Sequence, residues 1–220
     1  MLIATPLQKE QKIRIWDIDN GHVITNLHAI GHLENMAFSP DNKYFLATNY
    51  HEIEAIDIWE LPSGKHKYSF DSYNWRLYKN EYTADRDNRI KKNYINALNY
   101  AANGDSDIGY LGGCEEMDKV DEEFCGGRLF HPSFSHNSQY VIAAAEDGFV
   151  RIWDLESGHL HSMFECQKCK QAFFSPDDKY VIVISDCAIS IHHPATGAMI
   201  KKYEDKSLQY ARSFFSHKSQ

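Results

Sequence analysis

Proline and cysteine are scarce in this 220-residue chain, with six and five respectively, and a long apolar run is missing altogether. No stretch approaches the ~18 apolar residues that a membrane-spanning helix requires, so no membrane role is expected. The opening MLIATPLQKEQ has neither a basic leader nor an extended apolar block, which makes it a poor secretory signal. An odd number of cysteines in a chain this large does not suit the disulfide framework of small secreted domains. Cys114, Cys125, Cys166, Cys169 and Cys187 are therefore expected as free thiols in a cytoplasmic protein. Basic charge is also in deficit. Lys and Arg number 23 against 31 Asp and Glu, a net charge of −8, which argues against a nucleic-acid backbone as partner. No G-x-S-x-G, Walker or Rossmann glycine pattern appears, and no cofactor is implied.

What is present is alternation. The stretches KIRIWDIDNG, AIDIWELPSG, VRIWDLESG and AISIHHPATG each interleave branched aliphatics with other residues and then meet a turn carrying Gly. Ile13 and Ile15 share one strand face, as do Ile56 and Ile58, Val150 and Ile152, and Ile189 and Ile191. The bulky Trp16, Trp59 and Trp153 fall on the other, so such sheets need cover on both sides. The order around each strand repeats. A short strand ends in Phe-Ser (38–39, 134–135, 174–175, 215–216), and a polar turn such as Pro40-Asp41-Asn42 follows. Then come a strand opened by Tyr44, Tyr140 or Tyr180, the Ile-rich strand, and a fourth strand such as HVITNL, HKYSF, HLHSMF or AMIKKY. Four antiparallel strands recurring every ~40–45 residues predict an all-β chain, a β-propeller of four-stranded blades.

The residues IRIWD at 13–17 and VRIWD at 150–154 resemble the Trp-Asp ending of WD-repeat proteins. AFSPDNKY and FFSPDDKY resemble that family's first turn, and Gly31-His32 its Gly-His pair. The resemblance covers 1–70 and 128–220. It implies a structural role for Trp16, Asp17, His32, Trp59, Asp147, Trp153, Asp154 and Asp186, within buried groups of His, Ser or Thr, Asp and Trp. The pattern is degenerate. Ile53 and Glu10 stand where the turn-bracing Asp147 and Asp186 do, and His192-His193 replaces Trp-Asp. The Asp residues are expected to accept backbone and His protons.

Residues 71–127 break the rhythm, since Phe38 to Phe134 spans 96 residues where 40 or 41 separate the later copies. Two readings stand open. The stretch is an insertion with an amphipathic helix over RDNRIKKNYINALNYAA, placing Ile90, Tyr94, Ala97, Leu98 and Ala101 at helical spacing. Alternatively it is an eroded fifth blade with Tyr110 in the Trp position. Its charge is segregated, six basic to three acidic residues over 76–92 and eight acidic to one basic over 105–123. A long loop on a rigid scaffold is where binding residues gather, and Trp75, Arg76 and Tyr78 are the candidate contacts.

Cys166-Gln-Lys-Cys169 is a C-x-x-C pair, and with Cys114 and Cys125 it supplies four sulfurs for a tetrahedral zinc site. However, the ten-residue gap between Cys114 and Cys125 is not typical of zinc ligands. No metal site is assigned, and a thiol or zinc enzyme is kept as a contrasting alternative. His159, His161, His192 and His193 carry no metal spacing beyond chance. The acidic cluster from Glu115 to Glu123 lacks the apolar setting that would tune a general acid.

The WD-repeat resemblance implies a non-catalytic scaffold whose partners are other proteins or peptides. The second reading is a structural piece whose propeller is completed by another segment or chain. MLIATP resembles a second strand and ARSFFSHKSQ a first strand with its turn. Either the two ends share one blade or further sequence flanks both.

Overall fold

The structure, a computed structural model, describes residues 1–29, 32–50, 55–71 and 128–204. The helix or fifth blade expected within 71–127, and the tail ARSFFSHKSQ, lie outside these residues.

The described chain is all-β, and its strands form four antiparallel sheets. The first has three strands, β1 (Leu2–Leu7), β2 (Lys12–Asp17) and β3 (His22–His28), with a short 3-10 turn at Gln8–Glu10. The second has four: β4 (His32–Phe38), β5 (Tyr44–Tyr50), β6 (Ala55–Glu60) and β7 (His66–Asp71). The third is β8 (Leu129–Phe134), β9 (Tyr140–Ala145), β10 (Phe149–Asp154) and β11 (Leu160–Glu165). The fourth is β12 (Cys169–Phe174), β13 (Val181–Ser185), β14 (Ala188–His192) and β15 (Met199–Glu204). Each sheet is a meander in chain order, the strand layout of a propeller blade.

The chain divides into two compact units, Met1–Met36 with Ala47–Gly126, and Ala37–Leu46 with Gly127–Gln220. In the first unit the sealed side chains are Ile13, Ile15, Leu27, Ile56, Ile58 and Trp59. In the second, Ile142, Val150, Ile152, Phe164, Ala172, Phe174 and Val183 form a continuous core between the third and fourth sheets. Buried aliphatics of this size contribute about 1.5–3 kcal/mol each.

Two local devices recur. At the first turn of three sheets, Ser39, Ser135 and Ser175 are buried, and their N–H groups donate to the carbonyls of Tyr44, Tyr140 and Tyr180 at 2.9 Å. Each hydroxyl donates to the side chain two residues on, Asp41, Asn137 or Asp177, at 2.7 Å. Each also accepts the Tyr N–H at 2.9–3.0 Å. Asn42, Ser138 and Asp178 take φ of 58°, 59° and 56°, the left-handed step that short polar residues tolerate best.

The second device ends the third strand. The residue pairing shifts by one after Ile15, Ile58, Ile152 and Ile191, the same place in every sheet. A glycine N–H then closes the turn onto the carbonyl four residues back: Gly21 to Asp17, Gly64 to Glu60, Gly158 to Asp154 and Gly197 to His193, at 2.8–2.9 Å. All four glycines have positive φ, 67° to 73°.

At two of these turns, those of Gly64 and Gly197, a neighbouring sheet packs closely. A Cβ on Gly197 would stand 2.5 Å from Phe164 Cβ, whereas one on Gly21 would meet nothing within 4 Å. Gly21→Ala is expected to cost about 1 kcal/mol, from backbone strain alone. Gly197→Ala adds overpacking and is expected to cost about 3 kcal/mol. Urea unfolding of both variants checks this, and equal costs would mean that Gly197 serves the turn and not the packing.

Candidate functional site

The polar groups enclosed by the sheets are the chemistry to be explained, because a buried polar atom without a partner is costly. In the first sheet, Trp16 lies opposite Ile3 in register, and its Nε1–H donates to Thr5 Oγ1 at 2.8 Å. This is the Trp-to-hydroxyl half of the buried group that the Trp-Asp resemblance implies. Trp16 is half-buried, while Trp59 and Trp153 are 1% and 6% exposed.

The second sheet does it differently. Asp57 is wholly buried on β6, and its Oδ1 accepts the Ser69 hydroxyl at 2.5 Å and faces His66 Nε2 at 3.0 Å. Ser69 Oγ lies 3.2 Å from the same nitrogen, and the Trp59 ring stands edge-on to His66 at 5.7 Å. A nucleophilic triad would place the imidazole between Ser and Asp, using both of its nitrogens. Here the serine hydroxyl is spent on the carboxylate, so the cluster braces β6 against β7 (register Asp57 to Ser69) and has no activated oxygen.

In the third sheet, Asp147 accepts the Phe149 N–H at 3.2 Å and holds the Arg151 guanidinium, with Nη1 at 3.1 Å and Nη2 closer still. Arg151 is 1% exposed. The sequence led us to expect a histidine against Asp147; the structure puts an arginine from its own turn there. The i, i+4 spacing across the tight β9–β10 turn, with Gly148 at φ 84°, brings the two together. Asp186 likewise faces a lysine, Lys170 Nζ at 3.4 Å, and not a histidine. In the fourth sheet His192 fills the Trp position and is 4% exposed. It stacks on Phe164 at 4.5 Å, with Nε2 at 2.8 Å from Ser190 Oγ and Nδ1 at 3.0 Å from the Gly197 carbonyl.

The Asp of each Trp-Asp pair caps the next turn. Asp17 accepts the Asp19 N–H at 3.0 Å and the Asn20 side-chain amide at 2.6 Å. Asp154 accepts both the N–H and the hydroxyl of Ser157, at 2.7 and 2.8 Å. The Ser157 N–H holds the Asp154 carboxyl below its ordinary value, with partial burial opposing and the Ser157 hydroxyl adding to it. Asp177 is lowered first by the Ser175 hydroxyl and then by the Lys179 N–H. His32 opens β4 and is exposed.

One expectation is corrected at the cysteines. Cys166 and Cys169 are joined as a disulfide, not held as free thiols. The turn between β11 and β12, with Lys168 at φ 56°, folds the pair back on itself, which no cysteine count reveals. Joined sulfurs are not thiolates and do not ligate zinc. Cys187 is free and exposed. Cys114, Cys125, Trp75, Arg76 and Tyr78 lie outside the described residues. Among the described residues no three His, Cys, Asp or Glu side chains gather as a metal site, and no helix is long and apolar enough to cross a membrane.

The sequence reading missed Thr5, the Asp57–His66–Ser69 cluster and Arg151. Thr5 and Asp57 carried a faint signal, since each sits at a strand position where only its alternation partners are apolar. It also missed the links between first turns. The Asp41 N–H donates to Ser138 Oγ at 3.1 Å, and the Asn137 N–H to Asp178 Oδ2 at 2.7 Å, with the His136 N–H also on Asp178 at 2.8 Å. In both cases the third residue of one turn donates to the fourth residue of the next.

Meander sheets in chain order, with Trp16 and His192 hydrogen-bonded at the Trp position of the first and fourth, have the layout of propeller blades. A family model for the WD domain, G-beta repeat, matches residues 130–154, which run from β8 through β10. The match falls within the third sheet, and the other sheets share its strand order. No curated protein matches the chain.

Asp57→Ala removes the acceptor shared by His66 and Ser69 and is expected to cost about 2–4 kcal/mol in urea unfolding. A loss under about 0.5 kcal/mol would mean that the cluster holds nothing. Asp154 and Asp177 titrate lower in the fold than in the unfolded chain. Their contribution is therefore complete above the ordinary carboxylate pKa of ~4 and drains away as pH falls through the folded values. Asp177→Asn is expected to flatten the acid limb of the melting curve and to change little at neutral pH. Asn137 already fills that position in the third sheet, accepting the Ser135 hydroxyl at 2.7 Å and the Gln139 N–H at 3.0 Å. An unchanged acid limb would contradict the assignment.

Proposed function

We propose that this protein is a non-catalytic, cytoplasmic scaffold for protein–protein interaction, built on WD-type blades. The observation that carries the reading is where its polar chemistry goes. Asp57, His66, Ser69, Asp147, Arg151, Asp154, Ser135 and Ser175 are each engaged in holding a turn or a strand pair, which leaves rigid sheets that present loops. The WD repeat at 130–154 supports it, since that repeat commonly serves protein association. The expected partners are proteins or peptides, not nucleic acid or membrane.

The same reading takes 71–127 as an insertion and not a fifth blade. The direct hydrogen bond from the turn after β4 to the turn after β8, Asp41 N–H to Ser138 Oγ at 3.1 Å, supports that reading. The insertion departs after β7 and returns at β8, and Trp75, Arg76 and Tyr78 at its start are the candidate contacts. Completion of the propeller by another segment or chain is the second reading. The exposed β15, with Met199 at 58% and Ile200 at 53%, favours it.

The test replaces 72–127 with a short Gly-Ser linker. The far-UV spectrum and cooperative melting are expected to persist. Partners recovered by affinity purification from the native source are expected to be lost, as they should be with Trp75→Ala and Arg76→Ala. Loss of cooperative folding would make the stretch a blade, and unchanged partners would remove it as the binding element.

A further inference from the structure

The connection between β11 and β12 carries a pair of groups that the scaffold reading does not use. Cys166 and Cys169, three positions apart, are joined there with their Cα atoms at 5.7 Å. Each is anchored through its backbone, independently of sulfur. The Cys166 N–H donates to the Gly148 carbonyl at 2.7 Å, in the β9–β10 turn of the third sheet. Cys169 opens β12 and stands opposite Ser185 of β13 in the fourth sheet. The bond therefore staples the step from one sheet to the next. Because the anchors are main-chain pairings, the two sulfurs stay within reach of one another when that bond is open.

The two cysteines sit in unlike surroundings. Cys169 is 3% exposed and belongs to the core formed with Phe164, Ala172, Phe174 and Val183. Cys166 packs only against the margin of that core, half-buried, with exposed Glu165, Gln167 and Lys168 around it. An attacking thiol from solvent thus meets Cys166 and not Cys169. The Cys166 carbonyl lies against Cys169 Sγ, so a thiol formed on Cys169 has its acceptor waiting, and a neutral thiol suits an apolar core. The ring is also among the shortest a disulfide can close, and short rings restrict the unfolded chain least. Both the joined and the open state are therefore provided for.

We propose that Cys166 is a site of reversible S-thiolation with Cys169 as its resolving thiol, the pair exchanging with a low-molecular-weight thiol of the glutathione class. In the reducing direction a small thiolate attacks Cys166 Sγ. The bond to Cys169 breaks, and its electron pair leaves on Cys169 Sγ, which takes a proton from water. A second small thiolate attacks the small molecule's sulfur in the mixed disulfide, releases Cys166 as a thiolate and departs as the small disulfide. Two electrons have passed to the pair from two thiols. In the oxidising direction the Cys166 thiolate attacks the small disulfide, and Cys169, giving up its proton, displaces the small thiol from Cys166.

The probe is glutathione itself, added to the folded full chain first in reduced and then in oxidised form, each cysteine being read by alkylation and peptide mapping. Excess reduced glutathione is expected to open the bond and to lower the melting temperature by a few degrees. Oxidised glutathione is expected to restore the bond and leave no adduct on Cys166. Cys169→Ser removes the resolving thiol and is expected to retain about tenfold more glutathione on Cys166 than the parent chain. Cys166→Ser is expected to retain little on the buried Cys169. A pair that resists excess reduced glutathione while folded overturns the proposal in favour of a purely structural bond. Equal adducts on Cys166 and Cys169 in the two variants overturn the assigned roles. A new bond from exposed Cys187, in the turn after β13, to either cysteine overturns it in favour of exchange among three thiols. Should Cys169→Ser unfold, reduction and reoxidation of the unaltered chain still decide the matter. No partner protein enters these measurements, so their failure leaves the partner-capture test of the scaffold reading standing.

Discussion

Every sheet of this protein is apolar on two faces, so none is stable in water until both faces are covered, and the architecture follows from how that cover is supplied. Aliphatics at Ile56, Ile58, Val150 and Ile152 occupy one face of their strands, and Trp59 and Trp153 the other, all nearly or wholly buried. In the second unit the third and fourth sheets cover one another over a continuous core. In the first and fourth sheets some of the corresponding residue positions are only partly enclosed. Trp16 is half-buried, and Ile189 and Ile191 are likewise intermediate.

Apolar cover alone would let the sheets slide. The turns prevent it, because hydrogen bonds are directional where the hydrophobic effect is not. A buried serine hydroxyl closes the first turn three times over, and the left-handed residue after it offers its side chain to the turn of the sheet before. Asp41 on Ser138 and Asn137 on Asp178 are two instances of one rule, set by identical backbone geometry in each copy. Two glycine turns also act, where Gly64 lets the chain pass close over Thr25 and Gly197 over Phe164.

Between these two constraints the four sheets differ in how they handle buried polar groups. Trp16 with Thr5, Asp57 with His66 and Ser69, Arg151 with Asp147, and His192 with Ser190 are four separate answers to the same requirement. None exposes an activated nucleophile, which is why the functional reading falls on surfaces and loops.

The strands, their order and the turn positions were legible in the residues themselves, since alternation with period two and the Phe-Ser, Pro-Asp and Gly signals are local and repeat in register. The doubly apolar character of the sheets was legible too, from Ile on one parity and Trp on the other. What the buried Asp residues bind was not. Asp147 meets Arg151 and Asp57 meets His66 and Ser69 because of side-chain packing within a turn and across a strand pair, and no spacing rule distinguishes those partners from others at the same distance. The joining of Cys166 to Cys169, and the contact of Asp41 with Ser138 across 97 residues, were likewise decided only in three dimensions. Local sequence determines which backbone shape each segment prefers; which shapes become neighbours depends on the mutual burial of faces, a property of the assembled chain.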